Sequence, residues 1–148
     1  MKHYSRFKAL FVFAIISLIS FSGCAQEQRL VLSDASLKGK ITHNGKLVPY
    51  ALVIVMGKGG TSSTGNADAD GNYTVEHAPT GEVKIGVNTE AGKGNMKGAM
   101  MAAAQGGDKS AKPTFVDVPS KFFDPETSGI KANVTDSKGA NTFDIVIK

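Results

Sequence analysis

The sequence contains one cysteine and no tryptophan. A single cysteine excludes an intrachain disulfide, so the chain is not a disulfide-stapled scaffold. The missing tryptophan removes the side chain best suited to a flat, amphipathic ligand platform. Charge of one sign is scarce as well. Of 17 Lys and Arg, three (Lys2, Arg6 and Lys8) lie at the very N-terminus, and the remaining 14 face 13 Asp and Glu. A balance near +1 leaves no basic patch of the kind nucleic-acid binding requires. Beyond residue 23 only two histidines remain, His43 and His77, and neither sits in a catalytic motif. Nucleophilic catalysis needs a nucleophile, a base and an orienting group, and no such set is recognisable. The one long apolar run, Ala9–Phe21, has 13 residues, short of the roughly 20 that a membrane-spanning helix needs.

That run has a different use. It follows the basic Lys2, Arg6 and Lys8 and ends in Phe21-Ser22-Gly23-Cys24. A basic start, a short apolar core and small residues before a cleavage point make up an export signal. Ser22-Gly23-Cys24 resembles the bacterial lipobox, with Phe21 standing where Leu is usual. Met1–Gly23 therefore reads as a lipoprotein signal peptide, and Cys24 as the lipid-bearing first residue of the mature chain. One acyl chain anchors only marginally, so stable attachment takes two or more, which bacterial lipoprotein modification supplies. The competing readings are an ordinary secretory signal cut after Ala25, with Cys24 incidental, and an uncleaved signal anchor. Ala25, in place of an acid after Cys24, points to the outer membrane on the same resemblance.

The rest of the chain, 125 residues, suffices for one domain. Residues 24–36 read as a polar tether interrupted by Leu30-Val31-Leu32, which could start a strand. From Leu37 the pattern is all-β. Leu37–His43 is a strand closed by Asn44-Gly45, a two-residue hairpin signal. Tyr50–Met56 is a nearly continuous apolar run, expected to be a strand buried on both faces. Asp70-Gly71 between Thr64–Ala67 and Tyr73–Glu76 reads as a second hairpin, and Pro79-Thr80-Gly81 as a turn. Val83, Ile85 and Val87 alternate, as do Ile130, Ala132 and Val134, and then Phe143, Ile145 and Ile147, the last two sets joined by a turn at Ser137–Gly139. The stretch at about 89–112 is rich in Gly, Met and Ala and reads as a flexible insertion with a short helix over Met96–Gln105. About seven strands with short turns and no core helix predict an antiparallel β-sandwich over 37–148.

Three segments carry a resemblance. Leu37–Thr42 with Asn44–Pro49, Asp68-Ala69-Asp70-Gly71-Asn72-Tyr73, and Pro79-Thr80-Gly81-Glu82-Val83 are similar to the carboxypeptidase regulatory-like domain, a transthyretin-like sandwich. Leu47 stands where that pattern has Pro, and Tyr50 where it has Gly. Farther on, Val118–Ile130, with Asp124-Pro125-Glu126-Thr127-Ser128-Gly129 at its centre, and Asn141–Asp144 are similar to a group of short planctomycete lipoproteins carrying one such domain. The similarity covers about 37–87 and 115–148. It implies a non-enzymatic module without cofactor, since this domain does no chemistry itself.

Four groups of residues were weighed as sites. Asn66, Asp68 and Asp70 place oxygens at alternate positions before Gly71, as a calcium loop does, but the bidentate acid at the twelfth position is missing and the flanks are strands; a turn held by Asp68 and Asp70 is the plainer reading. Met96, Met100 and Met101 offer thioethers to Cu(I), with His43 and His77 as possible partners, against a segment that simply packs. Phe115, Phe122 and Phe123 are the candidates for a carbohydrate platform, against a core plug before Asp124-Pro125. Cys24 alone carries a definite role, lipidation. The expected protein is a lipid-anchored, non-enzymatic β-sandwich of the cell envelope, on the periplasmic or surface face of the outer membrane. Its expected partners are the membrane through Cys24 and an envelope protein or glycan, without nucleic acid.

Overall fold

The computed structural model describes residues 33–105, 115–135 and 140–148. Leu30–Leu32, Cys24, the leader and the Ser137–Gly139 turn lie outside them. Nine strands are present among the described residues: β1 (Ser36–His43), β2 (Lys46–Leu47), β3 (Leu52–Met56), β4 (Ser62–Asn66), β5 (Asn72–Val75), β6 (Gly81–Asn88), β7 (Ile130–Val134), β8 (Ala140–Thr142) and β9 (Ile145–Ile147). Helix α1 spans Thr89–Ala104 and a single turn, α2, spans Pro125–Ser128. One sheet is antiparallel in the order β4-β3-β6-β7; the other is built on β1, with β2 and β5 antiparallel to it and β8 and β9 parallel. The two form a β-sandwich.

Side-chain alternation explains the core. Leu37 and Ile41 of β1, Val53 and Val55 of β3, Tyr73 and Val75 of β5, Val83, Ile85 and Val87 of β6, and Ile145 and Ile147 of β9 are buried in one cluster between the sheets. Each is two residues from the next on its strand, or four in the case of Leu37 and Ile41, and an even spacing puts them on one face. Burying a Val or Ile in full contributes about 1.5–3 kcal/mol. The expected double burial of the Tyr50–Met56 run is met unequally. Val53 and Val55 enter the core, whereas Leu52, Ile54 and Met56 are half-buried on the outer face. There the Phe123–Pro125 segment lies across Gly86, the register partner of Ile54; a Cβ at Gly86 would stand 2.7 Å from Phe123 O and 2.8 Å from Pro125 Cδ.

The Asn44-Gly45 hairpin forms as expected, pairing His43 with Lys46, with φ of 51° and 77° at the two turn residues. Three other expectations are corrected. The Asp70-Gly71 turn does not close a hairpin: β4 pairs with β3 and β5 with β1, so the turn carries the chain from one sheet to the other, leaving a single Ala67–Tyr73 bridge. The strands on either side of Ser137–Gly139 do not pair either. β7 lies on β6, and β8 and β9 lie on β1, in the opposite sheet. The closing segment runs parallel to β1, while all the other strand pairs are antiparallel.

The third correction concerns the insertion. From its first residue it is helical, a 16-residue α1 in place of a short helix near its end. Asn88 caps it by accepting from Ala91 N at 2.9 Å. Thr89 is buried, and Gly92 sits against Tyr50, where a Cβ would fall 2.1 Å from the Tyr50 carbonyl oxygen. Glycine is a breaker by propensity, yet at Gly92 it is what lets the helix approach the sandwich. Gly94 has open space on the same scale of contact. Gly92→Ala is expected to lower the urea midpoint by the equivalent of about 1–3 kcal/mol. Gly94→Ala is expected to raise stability by about 0.5–1 kcal/mol. Equal effects of the two substitutions in chemical denaturation would contradict this packing.

Candidate functional site

Cys24, the lipidation candidate, lies outside the described residues, which begin at Ser33. The Ser33 carbonyl accepts from His77 Nδ1 at 2.8 Å, and the Ala35 carbonyl accepts from Ala78 N at 2.9 Å. A carbonyl only accepts, so His77 Nδ1 carries the proton. His77 occupies a turn with φ of 54°, and Ser63 Oγ donates to its carbonyl at 2.6 Å. His43 has a matching structural bond at the far end of β1, where its Nδ1 donates to the Asp117 carbonyl at 3.0 Å. The two histidines are separated by the length of β1, eight residues and therefore about 26 Å. They cannot share a ligand or act as a pair.

Asn66, Asp68 and Asp70 are not brought together around a central point. Asp68 Oδ1 accepts from the backbone N–H groups of Asp70 (2.8 Å) and Asn72 (2.9 Å), and Oδ2 accepts from Asn72 Nδ2 (3.0 Å). This is a side chain stabilising its own turn, with Gly71 at φ 72°. Asn66 turns away to accept from Asn95 Nδ2 of α1 at 2.9 Å. Partial burial pushes the Asp68 carboxyl up, but the Asn72 side chain, the Asn72 and Asp70 backbone groups and the Lys40 charge outweigh it and hold it below the ordinary carboxylate range. Among the described residues no three His, Cys, Asp or Glu side chains gather as metal ligands.

The methionines are dispersed in exposure along α1: Met96 is half-buried, while Met100 and Met101 are exposed. Neither histidine is bonded to the helix. The aromatic candidates are spent on packing. Phe122 is buried with Lys121 Nζ 4.7 Å from its ring centroid, Phe123 packs on the core, and half-buried Phe115 has Lys93 Nζ at 4.9 Å. Tyr73 is buried. Tyr50 and Phe143 are half-buried.

The family-like motifs turn out to be fasteners. In Asp124–Gly129, Asp124 caps α2 by accepting from Glu126 N at 2.8 Å, Pro125 begins the turn, and Gly129 leaves it at φ 72°. Ser128 Oγ, buried, donates to the Ile85 carbonyl at 2.5 Å and accepts from Ile130 N at 3.1 Å.

One constellation went unread in the sequence. The pairing offset of β8 with β1 continues unchanged into β9, yet the ladder is interrupted at Phe143-Asp144. In regular parallel pairing Lys40 N–H would donate to the Phe143 carbonyl. Instead it donates to Asp144 Oδ1 at 2.9 Å, and the Phe143 carbonyl accepts from the Tyr73 hydroxyl at 2.6 Å. Gly39 makes room: a Cβ there would stand 2.0 Å from Phe143 O. An isolated glycine inside a strand was the available signal, since it marks close approach of another backbone. Burial and the Asp144 charge push the Tyr73 phenol up, so it stays a donor.

Compared with family models, with curated proteins and with solved structures, the chain has no match.

Tyr73→Phe removes the partner of the half-buried Phe143 carbonyl and is expected to cost about 0.5–1.5 kcal/mol at neutral pH. The phenol ionises less readily folded than unfolded, so its contribution is whole below about pH 10 and is lost as pH rises further. The gap between wild type and Tyr73→Phe in thermal melts should therefore narrow above about pH 10; a constant gap contradicts the assignment. For Asp68 the sign is opposite. Its lowered folded value contributes stability above about pH 3.9 that disappears as pH falls through the folded value. Asp68→Asn, which keeps the turn acceptor, should flatten the acid limb of the stability–pH curve, and an unchanged limb counts against it.

Proposed function

We propose that the chain is exported, lipidated at Cys24 and held at the cell envelope, most consistently the outer membrane, where its sandwich acts through protein contacts without catalysing a reaction. The observation that carries this reading is Phe21-Ser22-Gly23-Cys24 at the end of a 13-residue apolar run with a basic start. A lone cysteine in that place has a chemical purpose, since the thioether and amine at a chain's first Cys can bear several acyl chains.

Two further observations support it. Ser33, the first described residue, lies nine positions after Cys24, a separation suited to a short tether. The motifs similar to the carboxypeptidase regulatory-like domain, at Asp68–Tyr73 and Pro79–Val83, and the one similar to the planctomycete lipoproteins, at Asp124–Gly129, are occupied by turns and caps that fasten strands, as a scaffold module requires. On this reading the module belongs with that domain family and with the planctomycete lipoproteins it resembles.

The test is expression of wild type and Cys24→Ser in a bacterial host, followed by membrane fractionation and intact-mass measurement. Wild type is expected in the membrane fraction, cut before Cys24 and heavier by its acyl chains, with Cys24→Ser lacking that mass. Two soluble, unmodified proteins would overturn the reading.

A further inference from the structure

Resting on the lipid-anchor reading, we infer that the sandwich presents one particular end to the phospholipid surface, the end built from Ala35, the His77–Pro79 turn and the Gly57–Gly60 loop. The fold decides this through the point at which the chain enters it. His77 Nδ1 bonds the Ser33 carbonyl at 2.8 Å and Ala78 N bonds the Ala35 carbonyl at 2.9 Å, so the entry point is pinned before β1 begins. The Gly57–Gly60 loop belongs to the same end. A Cβ at Gly57 would stand 2.6 Å from Pro79 Cβ.

The opposite end is equally well defined. β1 finishes there at His43, which pairs with Lys46 of the hairpin and with Ile147 beside the final residue. His43 bonds the Asp117 carbonyl, and Thr89 Oγ1, at the start of α1, meets Asp117 Oδ1 at 3.5 Å. The two ends are separated by the eight residues of β1, about 26 Å.

The length of chain before the domain limits which end can meet lipid. Ser33 lies nine positions beyond the acylated Cys24, and nine residue steps span about 30 Å at most. The entry end meets the bilayer at any separation up to that limit. The far end meets it only if the whole tether is drawn taut along β1. The exposed apolar pair Leu47 and Val146, which flank Thr42 on adjacent strands near the far end, therefore faces away from the lipid. Those side chains do not serve as a membrane-inserting patch.

The acylated full-length protein tests this in vesicles of phosphatidylcholine and phosphatidylglycerol carrying a headgroup-attached quencher. Cys24 is blocked by lipid, so one added cysteine takes a fluorophore: Lys58→Cys or Thr80→Cys at the entry end, Lys46→Cys or Lys148→Cys at the far end. All four positions are exposed or terminal. Quenching is expected to be at least several-fold greater at 58 and 80 than at 46 and 148. Equal or reversed quenching on protein that floats with the vesicles overturns the orientation and leaves the anchor standing. Acylated protein that fails to float overturns the anchor reading and the orientation with it.

Discussion

The five-stranded sheet depends on one carbonyl turned the wrong way. Phe143 would ordinarily complete the ladder to Lys40, but its oxygen points to the Tyr73 hydroxyl, 2.6 Å away, through the space that Gly39 leaves empty. A backbone group displaced from its ladder must find another partner, or the site loses about 0.5–1.5 kcal/mol. Here both orphaned groups are met, Phe143 O by Tyr73 and Lys40 N by Asp144. No buried side-chain polar atom lacks a partner among the described residues. The exchange ties β5 to the closing segment across β1, so three chain segments far apart in sequence are held by one small network.

The same economy runs through the turns. Asp68 holds the crossing from β4 to β5 and Ser128 holds the end of α2 onto β6. His77 holds the chain's entry. Asp68, Ser128 and His77, polar residues that in isolation suggest a ligand site, each make structural bonds here.

Attachment and fold also bear on each other. A tether that enters beside His77 and a helix that starts beside Asp117 lie at opposite ends of β1. The cap at Asn88 and the contact at Gly92 anchor only the first turns of α1, while Met100 and Met101 remain exposed beyond them. A helix held at one end by a few contacts is the part of such a domain with least local stability.

Much of this was legible before any coordinates. The export-signal reading of Ala9–Phe21 and Cys24 rests on sequence alone, since those residues lie outside the described ones. Val83, Ile85, Ile145 and Ile147 are assigned to strands by their period of two, Leu37 and Ile41 by the strand before Asn44-Gly45 and Val53 by its apolar run, and all seven are buried. Asn44-Gly45 named its own hairpin, because both residues tolerate the positive φ that a tight turn demands. What the sequence could not reveal was which strand lies beside which. A period of two specifies the face a side chain takes and says nothing of its neighbour, so Asp70-Gly71 reads equally well as a hairpin or a crossing between sheets. Close approach was hidden for the same reason. Gly39, Gly86 and Gly92 look like breaks in a pattern, and only the tertiary structure, by laying another backbone against each, shows that they are contacts.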